Sequence, residues 1–231
     1  MLHSCWLCAG SIVSRSDWYT HSTWTNEDAE QFWSRLRRTR KPQMAAQYVR
    51  IQAQTLEQQG LFDEALMLLE YILANYPESF DLAQVHHQIA SCCEKKGQVS
   101  AAVGHLRSAL RIESQNPSYL THAWLSLGRV AVEHGLRELY PEFLSIAEAK
   151  EAGQGGLECH LVFPIDRYEF FSILAIISRD KGDLRNARVH AISALAVADL
   201  KHSGFRYHAK IGLVRKTDTP LYRDVQKIAG Q

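Results

Sequence analysis

The sequence predicts an all-α chain of stacked helical hairpins, and three observations carry that prediction. A glycine recurs as Gly60, Gly97, Gly135 and Gly182, at spacings of 37, 38 and 47 residues. Each is followed in one frame by a set of apolar or small residues: Phe62, Ala65 and Leu69; Val99, Ala102 and Leu106; Leu184, Ala187 and Ala191; and, more weakly, Arg137, Tyr140 and Leu144. The composition, 46% hydrophobic and 22% charged over 231 residues, is that of a globular chain long enough to bury a core.

Each element has a physical reason. An amphipathic segment of three to four turns precedes and follows every one of these glycines, which describes helix, tight turn, helix. Glycine suits the turn because a left-handed conformation at a helix end is cheap only without a Cβ. A small residue five places later lets the second helix approach the first. Pro77 and Pro117 sit between hairpins, where a helix does not readily continue.

On these residues the chain resembles the tetratricopeptide repeat, a helical hairpin repeated in tandem. Trp124, Leu127 and Gly128 match the start of the family's pattern, Ala65, Leu69 and Pro77 its end, and KGDLRNA, residues 181–187, its inter-helix turn. The resemblance implies a right-handed α–α superhelix of about four hairpins, with extra N- and C-terminal helices. The repeats fall at 46–79, 83–116, 121–154 and 168–201, a repeat domain of 46–201. Tyr140 takes the small position of the third unit and Pro141 follows, so its second helix is expected to start late. Residues 155–167 open with Gly155 and Gly156 and are expected to form an irregular excursion, LVFP being more strand-like than helical.

Outside the repeats, residues 1–24 are expected to be poorly structured. Within a capping segment at 25–41, Thr25 or Asn26 caps a helix running to about Arg38, with Phe32, Trp33 and Leu36 as its apolar stripe. At 202–231 a basic extension follows, in which Gly204 suits a helix C′ position. Thr219 and Pro220 begin a short helix over 220–229.

Charge narrows the function classes. Lys/Arg against Asp/Glu count 6 to 4 over residues 1–45, 13 to 18 over 46–198 and 7 to 3 over 199–231, a mildly acidic body with basic ends. The total of +1 argues against a nucleic-acid binder. No apolar run approaches a membrane span, and the first residues lack the basic n-region of a secretory leader. Five cysteines, Cys5, Cys8, Cys92, Cys93 and Cys159, do not make a disulfide framework, so a reducing, cytoplasmic setting is expected.

A search for chemistry returns nothing specific. Cys5 and Cys8 have the spacing of half a zinc site with no second half, and the glycines at 153, 155 and 156 lack the Lys-Ser/Thr of a phosphate loop. Cys92 and Cys93 point to different helix faces, so at most one is expected in the core. Adjacent His86 and His87 do not share a helical face and are not a chelating pair. No metal, no cofactor and no catalytic residue is expected. Arg35, Arg37, Arg38, Arg40 and Lys41 form one concentrated charge run; favourable placement at a helix C-terminus outweighs phosphate binding as its explanation.

The expected function is therefore non-catalytic binding of a protein or peptide partner on the concave face. The family's geometry implies positions 5, 9 and 12 of each first helix as that face. Here they are Arg50, Gln54 and Glu57; His87, Ser91 and Glu94; Leu125, Arg129 and Val132; and Ser172, Ile176 and Arg179. Leu125, Val132 and Ile176 are apolar on a face that otherwise meets water, so they are expected to be covered by a partner or by residues 205–231, or, in a slightly rotated frame, to pack into neighbouring helices. An immunity or antitoxin protein neutralising a basic toxin is the narrower alternative, motivated by the acidic body. An enzyme on a helical scaffold is the disfavoured one. The sequence does not give the oligomeric state.

Overall fold

The computed structural model describes residues 18–116, 120–215 and 219–230. Its ten α-helices are α1 (Asn26–Leu36), α2 (Pro42–Gln58), α3 (Phe62–Asn75), α4 (Leu82–Lys95), α5 (Val99–Gln115), α6 (Ala123–Glu133), α7 (Tyr140–Ala152), α8 (Pro164–Asp180), α9 (Leu184–Ala198) and α10 (Pro220–Gly230). Short 3-10 turns occupy Arg137–Leu139 and Leu157–Cys159, and no strand occurs among the described residues. The chain is all-α and repeats a helical hairpin. It divides into two compact units, one ending at Trp124 and holding α1 to α5, the other starting at Leu125, within the stretch 46–201.

The four hairpin turns are closed alike. Gly60, Gly97, Gly135 and Gly182 have φ of 80°, 75°, 67° and 82°. The residue after each donates its amide to the carbonyl five residues before that glycine's successor: Leu61 to Leu56, Gln98 to Cys93, Leu136 to Ala131 and Asp183 to Ser178, at 3.0, 2.8, 2.8 and 2.9 Å. This is the Schellman end, which satisfies a helix carbonyl that has no partner within the helix. Ala65, Ala102 and Ala187 are fully buried where the paired helices meet, and Tyr140 takes their place in the third hairpin at 3% exposure. There the second helix does start late: the 3-10 turn intervenes, and Pro141 lies in the first turn of α7.

In the first unit the core runs through Val49, Ala53 and Leu56 of α2, Leu68, Leu69 and Ile72 of α3, Val85, Ile89 and Cys92 of α4, and Val103 and Leu106 of α5. Thr25 caps α1 reciprocally with Asp28, and Phe32 and Leu36 are buried. Trp33 meets Tyr71 of α3 edge-on at 4.7 Å between ring centres. Residues 18–24 are more ordered than expected. Gln52, fully buried, accepts from the His21 amide at 2.8 Å and donates to the His21 carbonyl at 2.7 Å, and Trp18 and Tyr19 pack on Tyr48. Residues 1–17 of that segment, with Cys5 and Cys8, lie outside the described residues.

In the second unit, Gly128 of α6 has its own reason. A Cβ there would lie 2.5 Å from the Phe143 ring of α7 and 3.1 Å from Ile173 of α8, so α6 approaches both only because that side chain is missing. The expected excursion is shorter than its sequence suggests, because α8 begins at Pro164. Asp166 accepts the Phe163 amide at 2.9 Å, and the Ile165 amide donates to the Gly212 carbonyl at 2.7 Å. Gly204 has φ of 89° but is not a helix terminus, since α9 ends at Ala198. Thr219 caps α10 as expected, accepting the Tyr222 amide at 3.1 Å.

Candidate functional site

The first helices of the first two hairpins, α2 and α4, place six of the sequence-assigned residues in two rows. Arg50, Gln54 and Glu57 lie on α2, His87, Ser91 and Glu94 on α4, and all six are half-buried. Two polar contacts hold the rows. The Arg50 guanidinium donates to Asp81, just before α4, at 3.2 Å, and the Ser91 hydroxyl donates to Glu57 at 2.6 Å. Burial pushes the Glu57 carboxyl above the ordinary carboxylate range, against the Ser91 hydrogen bond, which favours the charged form. These positions thus make a polar, partly dry strip with donors and acceptors on both sides of it.

The six assigned residues of the second unit behave differently. Leu125 is fully buried, Ser172 is fully buried and Ile176 is 3% exposed, so none of them is a surface residue. Ile176 belongs to a core formed with Leu221, Val225 and Ile228 of α10, and half-buried Val132 packs against that core. The C-terminal helix therefore covers Ile176 and Val132 in cis, one of the expected alternatives. The remaining pair is polar and engaged within the chain. Arg129 donates to Glu133 at 2.7 Å, and Arg179 pairs with Asp180 at 2.8 Å. Asp180 also accepts the Tyr140 hydroxyl at 2.9 Å, and these hydrogen bonds and charges hold its pKa low against burial, which pushes the other way.

One further expectation changes. Cys92 and Cys93 are both buried, at 0% and 5% exposure, because α4 packs against α2, α3 and α5 and has more than one inward side. Burial raises the Cys92 thiol to about 12 and moves Cys93 in the same direction, which opposes the thiolate a nucleophile needs. Of the aromatic pair after α9, Phe205 packs against Phe163 at 5.4 Å, whereas Tyr207 is 81% exposed.

Sequence reasoning missed three polar contacts. Asp81 supplies the partner of Arg50. Glu113, buried near the end of α5, accepts the Thr121 amide at 2.7 Å and the Thr121 hydroxyl, while Thr121 accepts the Ala123 amide at 3.1 Å, so one carboxylate fixes the chain entering α6. His86 of α4 faces His105 of α5 with Nδ1 atoms 2.9 Å apart, and burial lowers the pKa of both. A lone acid in an amphipathic helix or a histidine among eleven gives no sequence signal of such pairing.

Among the described residues, no group of three or more His, Cys, Asp or Glu side chains is arranged to hold a metal ion, and no helix is long and apolar enough to cross a membrane. No protein-family model and no curated protein sequence matches the chain. Among solved structures it is similar to the crystal structure of BtubC (BKLC) from P. vanneervenii, at a TM-score of 0.57 and 17% identity. The match covers 74% of this chain and 72% of that one. At that identity the likeness is one of fold, and it agrees with a helical-repeat architecture.

Proposed function

We propose that the chain is a tetratricopeptide-like protein-binding module without catalytic activity, and that it holds a protein or peptide partner along α2 and α4. The observation that supports this most is the strip from Arg50 to Glu57 and from His87 to Glu94, half-buried and polar on two successive first helices. A partner segment laid on it exchanges water for hydrogen bonds to groups already held in place by the Ser91 to Glu57 and Arg50 to Asp81 contacts, which lowers the ordering cost of binding. The shared Schellman turns and the buried alanines support the repeat type. Repeat stacks of this kind present their first helices as an extended surface.

The test is site-directed photocrosslinking in extract of the native cells. A photoreactive residue at Gln54 or His87 is expected to trap one discrete partner, identified by mass spectrometry, and one at Met67 on α3 is not. Equal trapping from all three positions overturns the assignment.

A further inference from the structure

The run Arg35, Arg37, Arg38, Arg40 and Lys41 joins α1 to α2, and all five residues are exposed. None makes an ion pair or side-chain hydrogen bond with another described residue. Helix-end electrostatics account for only part of it. The helix α1 ends at Leu36 with Arg37 as its C-cap, so Arg35 and Arg37 sit where a cation is favoured. Its last carbonyls are already satisfied by backbone: the amides of Arg37, Arg38 and Thr39 donate to Trp33, Arg35 and Leu36 at 3.1, 3.0 and 2.9 Å. Arg40 and Lys41 stand at the opposite kind of end. Lys41 is the N-cap of α2, makes no side-chain capping bond, and no acidic residue follows in the first turn. A cation at a helix N-terminus is disfavoured by the same dipole that favours one at a C-terminus. The turn therefore concentrates like charge at a cost to local stability, and no acidic side chain among the described residues pairs with it.

We propose that the Arg35–Lys41 turn docks a short Asp/Glu-rich segment of a partner protein. Four of the five cations are arginines, whose planar fork pairs with carboxylates in two parallel hydrogen bonds. The rest of the first unit decides between a short anion and a long one. From Pro42 to Trp124 the exposed and half-buried charges are seven Asp/Glu against five Lys/Arg, so a nucleic-acid duplex or an anionic bilayer reaching past the turn meets residues that are acidic on balance. A segment of a few carboxylates engages the turn alone. The surface goes beyond the α2 and α4 strip, and its test does not depend on that strip.

The probe is a fluorescein-labelled octaglutamate peptide, titrated with the full chain at low ionic strength and followed by anisotropy. Octaglutamate is expected to bind, octaglutamine not to bind, and binding to weaken with added salt. Arg38→Glu with Arg40→Glu is expected to weaken it by about tenfold or more with circular dichroism unchanged, and Arg38→Gln with Arg40→Gln by less. Gln54→Ala with His87→Ala is expected to leave it intact, which separates this surface from the proposed partner strip. Undiminished binding to the charge-reversed variant overturns the proposal. So does tighter binding of a short DNA duplex or of phosphatidylserine vesicles that is lost in the same variant, which makes the turn a phosphate or lipid surface instead.

Discussion

Ser91 donates its hydroxyl proton to Glu57 across two successive first helices at 2.6 Å, and burial raises the pKa of the carboxyl that receives it. The group therefore favours the fold most when protonated. Its contribution is complete below the ordinary pKa of 4.5 and is lost as pH rises through the higher folded value. Glu57→Gln keeps the acceptor and removes the ionisation. In urea titrations the variant is expected to match or exceed the parent at pH 7 and to lose that advantage at pH 4. An advantage that grows towards low pH contradicts the raised pKa.

The facing histidines predict the opposite slope. His86 and His105 both have pKa values lowered from 6.5, chiefly by burial; Arg111 and the partner ring add to this for His86, and Glu70 opposes it for His105. Their contribution is complete above 6.5 and is lost as pH falls through the lower folded values. Asp28, Asp180 and Asp183, lowered from 3.8, affect stability only at greater acidity. The urea midpoint is expected to fall between pH 7 and pH 5. His86→Gln with His105→Gln is expected to reduce that fall, to which His190, lowered likewise by burial, also contributes, and an unchanged slope argues that the pair does not titrate with folding.

The close approach at Gly128 predicts a paired substitution. Gly128→Ala puts a methyl group into the Phe143 ring, and overpacking of this kind costs about 1 to 3 kcal/mol. Phe143→Leu is expected to recover part of the loss when the two are combined. Thermal unfolding of both singles and the double gives the coupling, and strict additivity removes the steric explanation. Ala102→Leu, in the hairpin between α4 and α5, is expected to lose stability by a similar amount.

Leu125 and Arg129 share a helix but predict different outcomes. Leu125→Ala empties a fully buried site, for which the usual cost is about 2 to 5 kcal/mol. Arg129→Glu replaces the pair with Glu133 by repulsion four residues apart, a matter of a few tenths of a kcal/mol. Chemical unfolding checks both. Comparable losses from the two contradict the burial of Leu125.

The hairpins were legible because the Schellman end leaves little choice of residue at its left-handed position, and alanine at the helix crossing is fixed by lack of space. That Arg50, Gln54 and Glu57, and His87, Ser91 and Glu94, share a side was legible for a similar reason, since residues four and three apart on a helix do so. It failed at Leu125 and Ile176 because helical spacing gives a side and not what lies against it. For Ile176 the cover is α10, more than forty residues away in sequence. The expectation that at most one of Cys92 and Cys93 is in the core failed on the same ground: a helix packed on several sides has no single polar face for periodicity to detect. The early start of α8 rests on an aspartate cap and a bond to Gly212, a long-range contact that no local pattern announces.

The turns that close the four hairpins have a consequence for how the chain acquires its structure. Each is completed by a hydrogen bond between residues only five apart, and the helices it joins are neighbours in sequence. The entropy of closing such a loop is small, and chains dominated by local contacts fold quickly. During synthesis a hairpin can close its own turn once its second helix has emerged, while burial of its outer sides waits for the neighbouring elements. The contacts of α10 with α8 and α9 form last in that order, which makes the C-terminal helix the step that finishes the second unit.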